Sequence, residues 1–145
     1  MRNERKLKLE KANRMAAEGL CHGAGFLYAG LGKKKLARKM ALLCFEEGNY
    51  LSSAEVLREI NEKNQVDVNA KKLEGKKLKQ YYNAARLYLM IRKKKDAKRL
   101  ALKCLESNRL EEALDLFKRL KNPYQVGKVK KLIRQKKIQA QKLSV

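Results

Sequence analysis

GKKKLARKMALLCFEEGN occupies residues 32–49, and RKKKDAKRLALKCLESNR occupies residues 92–109. Both write three lysines, an apolar stripe with alanine, a cysteine and a glutamate in the same order, sixty residues apart. At that offset, 24–71 and 84–131 agree at 14 of 48 positions. Lysine abundance inflates such a count. Tyr28/Tyr88, Ala37/Ala97, Ala41/Ala101, Leu42/Leu102, Cys44/Cys104 and Val66/Val126 do not depend on it. A fixed long period is the mark of stacked supersecondary units.

Within each stretch the apolar residues recur at helical spacing. Leu36, Met40, Leu43 and Cys44 fall on one face of a helix, and Ala97, Leu100, Ala101, Cys104 and Leu105 do the same sixty residues on. Gly48-Asn49 and Ser107-Asn108 then break the pattern, because Gly and Asn tolerate the left-handed conformation that ends a helix. The next helix has the stripe Leu51, Ala54, Leu57, Ile60 in one copy and Leu110, Ala113, Phe117, Leu120 in the other. Asn122-Pro123 stops the second copy, and the proline can open a new helix. The chain has one proline, eight glycines, no threonine and no alternating Val/Ile run, so strands are not expected.

Working outward gives helices near 4–18, 21–31, 35–47, 50–61, 65–78, 80–92, 96–107, 110–121 and 124–142. Gly75 leaves open whether 65–92 is two helices or one bent helix. Loops this short force antiparallel neighbours. The expected fold is all-α, an antiparallel array of helical hairpins or an α-solenoid with an internal repeat of about sixty residues. It forms a single domain over 1–145, with a basic N-terminal helix at 1–19, repeats at 20–79 and 80–139, and a tail at 140–145.

The stretch LALKCLESNRLEEALDLFKRLKNP resembles a tetratricopeptide-type hairpin, with Ala101, Asn108, Ala113 and Phe117 at the matching positions. The earlier copy offers Ala41, Gly48, Ser53 and Leu57. The chain departs from that family in having no tryptophan and no regular 34-residue spacing. The resemblance covers roughly 20–121 and implies an interaction scaffold of the α-solenoid class.

The formal net charge is +22, from 37 basic and 15 acidic residues. Self-repulsion of this size opposes a compact state and favours polyanionic partners. In an up-down stack every second turn lies on one edge, so the turns near 32–35, 61–64, 92–95 and 121–124 are expected together. That edge is expected to carry Lys33, Lys34, Lys35, Lys63, Arg92, Lys93, Lys94, Lys95 and Lys121, and the candidate phosphate contacts there are Lys33, Lys34, Lys35, Arg38, Arg92, Lys93, Lys94, Lys95, Lys98 and Arg99. Glu46, Glu47, Glu106, Glu111 and Glu112 mark the opposite one. The bland reading is a solvated face, or lysines that complement the dipole in the last turn of a helix.

The segment VGKVKKLIRQKKIQAQKLSV adds Lys128, Lys130, Lys131 and Arg134 around the apolar stripe Val126, Val129, Leu132, Ile133. No zinc finger, RRM, KH or helix-turn-helix signature occurs. Contact with phosphates and shape therefore suits structured RNA better than reading of DNA bases. The expected function is non-catalytic RNA binding in a ribosome or other ribonucleoprotein. The rival is a scaffold that binds a peptide or an acidic protein, and a third, weaker reading is attachment to a membrane surface.

Catalytic signatures are missing, so no enzyme, cofactor or small-molecule substrate is expected. His22 stands beside Cys21 without a metal-ligand spacing, so no metal site is expected. CHGAGFLYAGLG (21–32) is glycine-rich, but no strand precedes it, and close helix packing accounts for it better than a phosphate loop. Tyr81-Tyr82 are candidates for base stacking, with a structural role as the alternative. Tyr28 and Tyr88 are expected in the core. Three cysteines without CxxC spacing imply free thiols in a reducing compartment. No run approaches the length of a membrane span, and the N-terminus lacks a secretory h-region, so the cytoplasm is expected.

Overall fold

The computed structural model describes residues 2–144. Met1 and Val145, the outer ends of the expected 1–19 and 140–145 segments, lie outside the described residues. These form α1 (Arg2–Ala17), α2 (Cys21–Gly30), α3 (Lys34–Glu46), α4 (Tyr50–Glu59), α5 (Lys63–Gly75), a 3₁₀ turn (Leu78–Gln80), α6 (Tyr81–Met90), α7 (Lys94–Glu106), α8 (Leu110–Arg119) and α9 (Pro123–Leu143). No strand occurs among the described residues. The bounds of α2, α3 and α4 coincide with those of α6, α7 and α8 at an offset of sixty. The stretch around Gly75 is not one bent helix. Lys77 takes a φ of 67°, which ends α5 before the 3₁₀ turn.

Tight turns join the helices. Gly32 and Gly48 adopt φ of 73° and 87°. Behind them the Lys33 amide donates to the Tyr28 carbonyl at 2.9 Å, and the Asn49 amide to Cys44 at 2.8 Å. This is the Schellman closure of a helix end. Arg92 and Asn108 repeat it, with the Lys93 amide on the Tyr88 carbonyl and the Arg109 amide on Cys104. A helix closed this way leaves one residue to start the next, so sequence neighbours lie antiparallel. At α9 the start is reinforced by Asn122, whose Oδ1 accepts the Gln125 amide at 3.2 Å, and by Pro123 in the first turn.

The chain divides into two compact units, Met1–Val68 and Asn69–Val145. In the first, α1 packs on α2, and α2, α3 and α4 pack on one another. In the second, α6 packs on α7 and α8, α7 on α8, and α8 on α9. The core face of α3 is Ala37, Met40, Ala41 and Cys44, while Leu36 and Leu43 are exposed. The stripe expected from bulk is thus rotated: alanines, not leucines, stand where neighbouring helices approach. The equivalent face of α7 is Ala97, Leu100, Ala101 and Cys104, as expected except that Leu105 is only half-buried. Tyr28 and Tyr88 are buried, with hydroxyls donating to Asn13 Oδ1 at 2.6 Å and Glu74 Oε2 at 3.0 Å.

The glycine-rich segment forms α2, and at Gly25 it packs closely on α3 and α4. A Cβ there would meet Val56 Cγ2 at 2.8 Å and Met40 Cβ at 3.4 Å. Gly127, inside α9, has nothing within 4 Å of such an atom. Alanine should therefore have opposite effects at the two positions. Gly127→Ala should stabilise by about 0.5–1 kcal/mol through helix propensity. Gly25→Ala should destabilise by about 1 kcal/mol or more, because overpacking a core costs roughly 1–3 kcal/mol. Urea midpoints of the two variants give the signs.

The expectation of three free thiols is wrong. Cys21 and Cys44 form a disulfide with Cα atoms 5.7 Å apart, and Cys104 is the free, buried cysteine. The α2–α3 turn centres between residues 32 and 33, so 21 and 44 are mirror positions of one antiparallel hairpin. The mirror position of Cys104 is Tyr81, which explains why Cys104 has no such partner. With this bond, the cysteine pattern no longer argues for a reducing compartment.

Candidate nucleic-acid interface

The repeated lysines fall at helix starts. Lys33 precedes α3, with Lys34 and Lys35 in its first turn; Lys93 precedes α7, with Lys94 and Lys95 in its first turn. All six are exposed. The dipole reading required them at helix ends. At a helix start the dipole repels cations, by about 0.3–1 kcal/mol each at low ionic strength. Their placement is thus unfavourable for the helices that carry them.

Two arginines of the candidate set are committed elsewhere. Arg38 pairs with Glu62. Arg99 pairs with Glu74 and also holds Asp96 at 3.2 Å. Arg92 and Lys98 are exposed at the start of α7. On α9, Lys128, Lys130, Lys131 and Arg134 are exposed around the buried Val129. The hydrogen bond from Arg99, partly offset by burial, holds the Glu74 carboxyl below the usual carboxylate range. A depressed carboxyl adds stability above its unfolded pKa and loses it as pH falls through the folded value. Glu74→Gln should therefore lower the urea midpoint of the second unit at pH 7, and the difference from the parent should shrink toward pH 3.

The charge is divided unequally between the units. Residues 1–68 carry 13 basic and 9 acidic side chains, a formal +4, whereas 69–145 carry 24 and 6, a formal +18. No acidic residue follows Asp115, so α9 has seven basic residues and no acid. The outward face of α9 holds Lys130, Arg134 and Lys137 at i, i+4 and i+7.

Two further cations, Arg86 and Arg119, escaped the sequence reading, and they join Lys121, which it had placed on the basic edge. They line a cleft of about 430 Å³ with Lys94, over Leu89, Met90 and Leu120. The α6–α7 and α8–α9 turns bring them together from positions up to 35 residues apart. Only the expectation that alternate turns share an edge could have pointed to them. Asp115 accepts a hydrogen bond from Arg119 Nε at 2.8 Å and from the Tyr82 hydroxyl at 2.6 Å. Arg86 lies over the Tyr82 ring, 5.9 Å from its centroid. Burial would raise the Asp115 carboxyl, but Tyr82 and Arg119 outweigh it and hold it low. Tyr82 is thereby bound inside the unit, and Lys103 lies 5.3 Å from the Tyr81 ring centroid. Neither tyrosine is an unencumbered stacking platform.

Around the α2–α3 and α4–α5 turns of the first unit, a cleft of about 540 Å³ is lined by Phe26, Glu55, Arg58, Glu59, Asn61 and Lys63. His22 Nε2 lies 3.1 Å from Glu55 there, and Phe26 packs edge-on against its ring. No group of three or more metal-ligating side chains occurs among the described residues. No helix among the described residues is long and apolar enough to cross a membrane. No family model, curated protein or solved structure matches this chain.

Proposed function

We propose that this chain binds structured RNA through its phosphates, as a component of a ribonucleoprotein. The observation that carries the reading is the +18 charge of the second unit, which ends in a helix with seven cations and no acid. Charge of one sign at this density opposes folding and favours a polyanion. The lysine-led starts of α3 and α7 add to it, since these cations stand where helix stability disfavours them. We further propose that 20–79 and 80–139 are two copies of one helical module. The coincident helix bounds and the matching turns support this. The hairpins α3–α4 and α7–α8 are then the tetratricopeptide-like elements of a short α-solenoid.

A second reading, a scaffold for a peptide, is favoured by one feature. Leu105, Leu110, Leu132 and Ile138 line a groove of about 470 Å³ between the α7–α8 turn and α9.

Fluorescence anisotropy against an RNA hairpin, single-stranded RNA and duplex DNA separates the two readings. For roughly six phosphate contacts, affinity for the hairpin should fall about 10³-fold between 50 and 200 mM salt. Changing Lys33, Lys34, Lys35, Lys93, Lys94 and Lys95 to Glu should abolish sub-micromolar binding while helical circular dichroism persists. Absence of hairpin binding at physiological salt would overturn the RNA reading in favour of the scaffold.

A further inference from the structure

The two clefts are the same construction with different charge. His22, Phe26 and Glu55 of the first occupy the positions of Tyr82, Arg86 and Asp115 of the second, sixty residues on. In each, a ring bearing a polar atom contacts a carboxylate: His22 with Glu55 at 3.1 Å, Tyr82 with Asp115 at 2.6 Å. In each, the residue one turn on lies against that ring: Phe26 in the first, Arg86 in the second. The scaffolding of the cleft is therefore kept, and its lining is not. Phe26, Glu59 and Asn61 become Arg86, Arg119 and Lys121. These three exchanges make the second cleft four charges more positive than the first.

We propose that the second cleft is a phosphate site that seats one backbone phosphate of the bound RNA. The assignment rests on the RNA reading above for the identity of the strand, and on the cleft itself for the anion. Asp115 holds Arg119 through Nε at 2.8 Å, and Arg119 lines the cleft. The Tyr82 ring supports the Arg86 guanidinium. Lys94 and Lys121 make no ion pair among the described residues. Two held planar forks and two ammonium groups suit a phosphate. The forks supply paired N–H donors to its oxygens, and the lysines supply charge. Leu89, Met90 and Leu120 give the cleft an apolar floor against which the adjoining sugar can rest. The first cleft, with Glu55 and Glu59 balancing Arg58 and Lys63, has no net charge with which to hold an anion.

The decisive variant transplants the first lining into the second cleft: Arg86→Phe, Arg119→Glu and Lys121→Asn. These residue types occupy the same positions in a folded copy of the cleft, and circular dichroism checks the helix content. Lys76→Glu with Lys79→Glu is the matched control, because it removes the same charge outside the cleft. In anisotropy titrations of the full chain with an RNA hairpin, the cleft variant should bind more than about tenfold more weakly, with a salt slope lower by roughly 1. The control should lose less than about threefold. Arg86→Lys with Arg119→Lys keeps the charge but not the forks, and should fall between the two. Equal losses in the cleft variant and the control would overturn the phosphate site while leaving RNA binding standing.

If the parent chain binds no RNA, the RNA reading falls, and inorganic pyrophosphate tests the cleft alone. Saturable amide shifts at Leu89, Met90 and Lys121 that vanish in the transplant variant support the site. Shifts that spread over the lysines without saturating overturn it.

Discussion

Phe117→Ala should cost the second unit about 3–5 kcal/mol, the range for deleting a fully buried aromatic ring. Phe117 is completely buried on α8, and with Tyr88 it is the largest side chain removed from solvent there. Residues 69–145 have a small core, and their charge of +18 already opposes compaction. A domain of this size typically holds only about 5–15 kcal/mol in total, so the loss takes up a large part of it. Phe117→Leu should be much milder, because Leu57 occupies the corresponding position of α4 and is also buried. Urea unfolding followed by circular dichroism measures both. An alanine variant with an unchanged midpoint would mean that Phe117 does not anchor this core.

Cys44→Ala should cost the first unit about 3 kcal/mol, the chain-entropy value for a crosslink that closes a loop of this size. The bond joins residues 23 apart in sequence, at the start of α2 and near the end of α3. It therefore fastens the open end of the hairpin, opposite the turn at Gly32. Reductant should lower the midpoint of the parent by a similar amount and leave Cys44→Ala unchanged. Thiol titration in denaturant, without reductant, should find one reactive group. Three would show that the bond does not form. Cys104→Ala should keep the reductant sensitivity of the parent.

The helices were legible because their ends are written in the sequence. Gly32, Gly48 and Asn108 fit the left-handed closures, and Asn122-Pro123 fits a cap followed by a first turn. Reading faces from bulk was right on α3 for Met40 and Cys44 and wrong for Leu36 and Leu43. Close-packed helices place Ala37 and Ala41 at the contact, so Leu36 and Leu43 point outward. Hydrophobic spacing sees bulk and cannot see interaxial distance. The interface was legible where it is local: the cations of α9 follow one another along the chain. It was illegible where it depends on pairing in space. Glu62 and Glu74 claim Arg38 and Arg99 across 24 and 25 residues, and the Arg86–Arg119–Lys121 group exists only once turns are brought together. The disulfide belongs to the same class, since it follows from reflecting the chain about a turn.

Cys104 gives the second unit an internal clock. Its thiol is fully buried, and burial raises its pKa to about 11. A thiol that is neither exposed nor ionised reacts with alkylating reagents only when its surroundings open, so the rate of modification counts openings. With Cys21 and Cys44 locked together, the count comes from this half of the molecule alone. A ligand that binds only the closed form slows the clock by the factor 1 + [L]/Kd, about a hundredfold at a hundred times Kd. Occupancy of the second unit can thus be timed on unlabelled protein with unlabelled RNA.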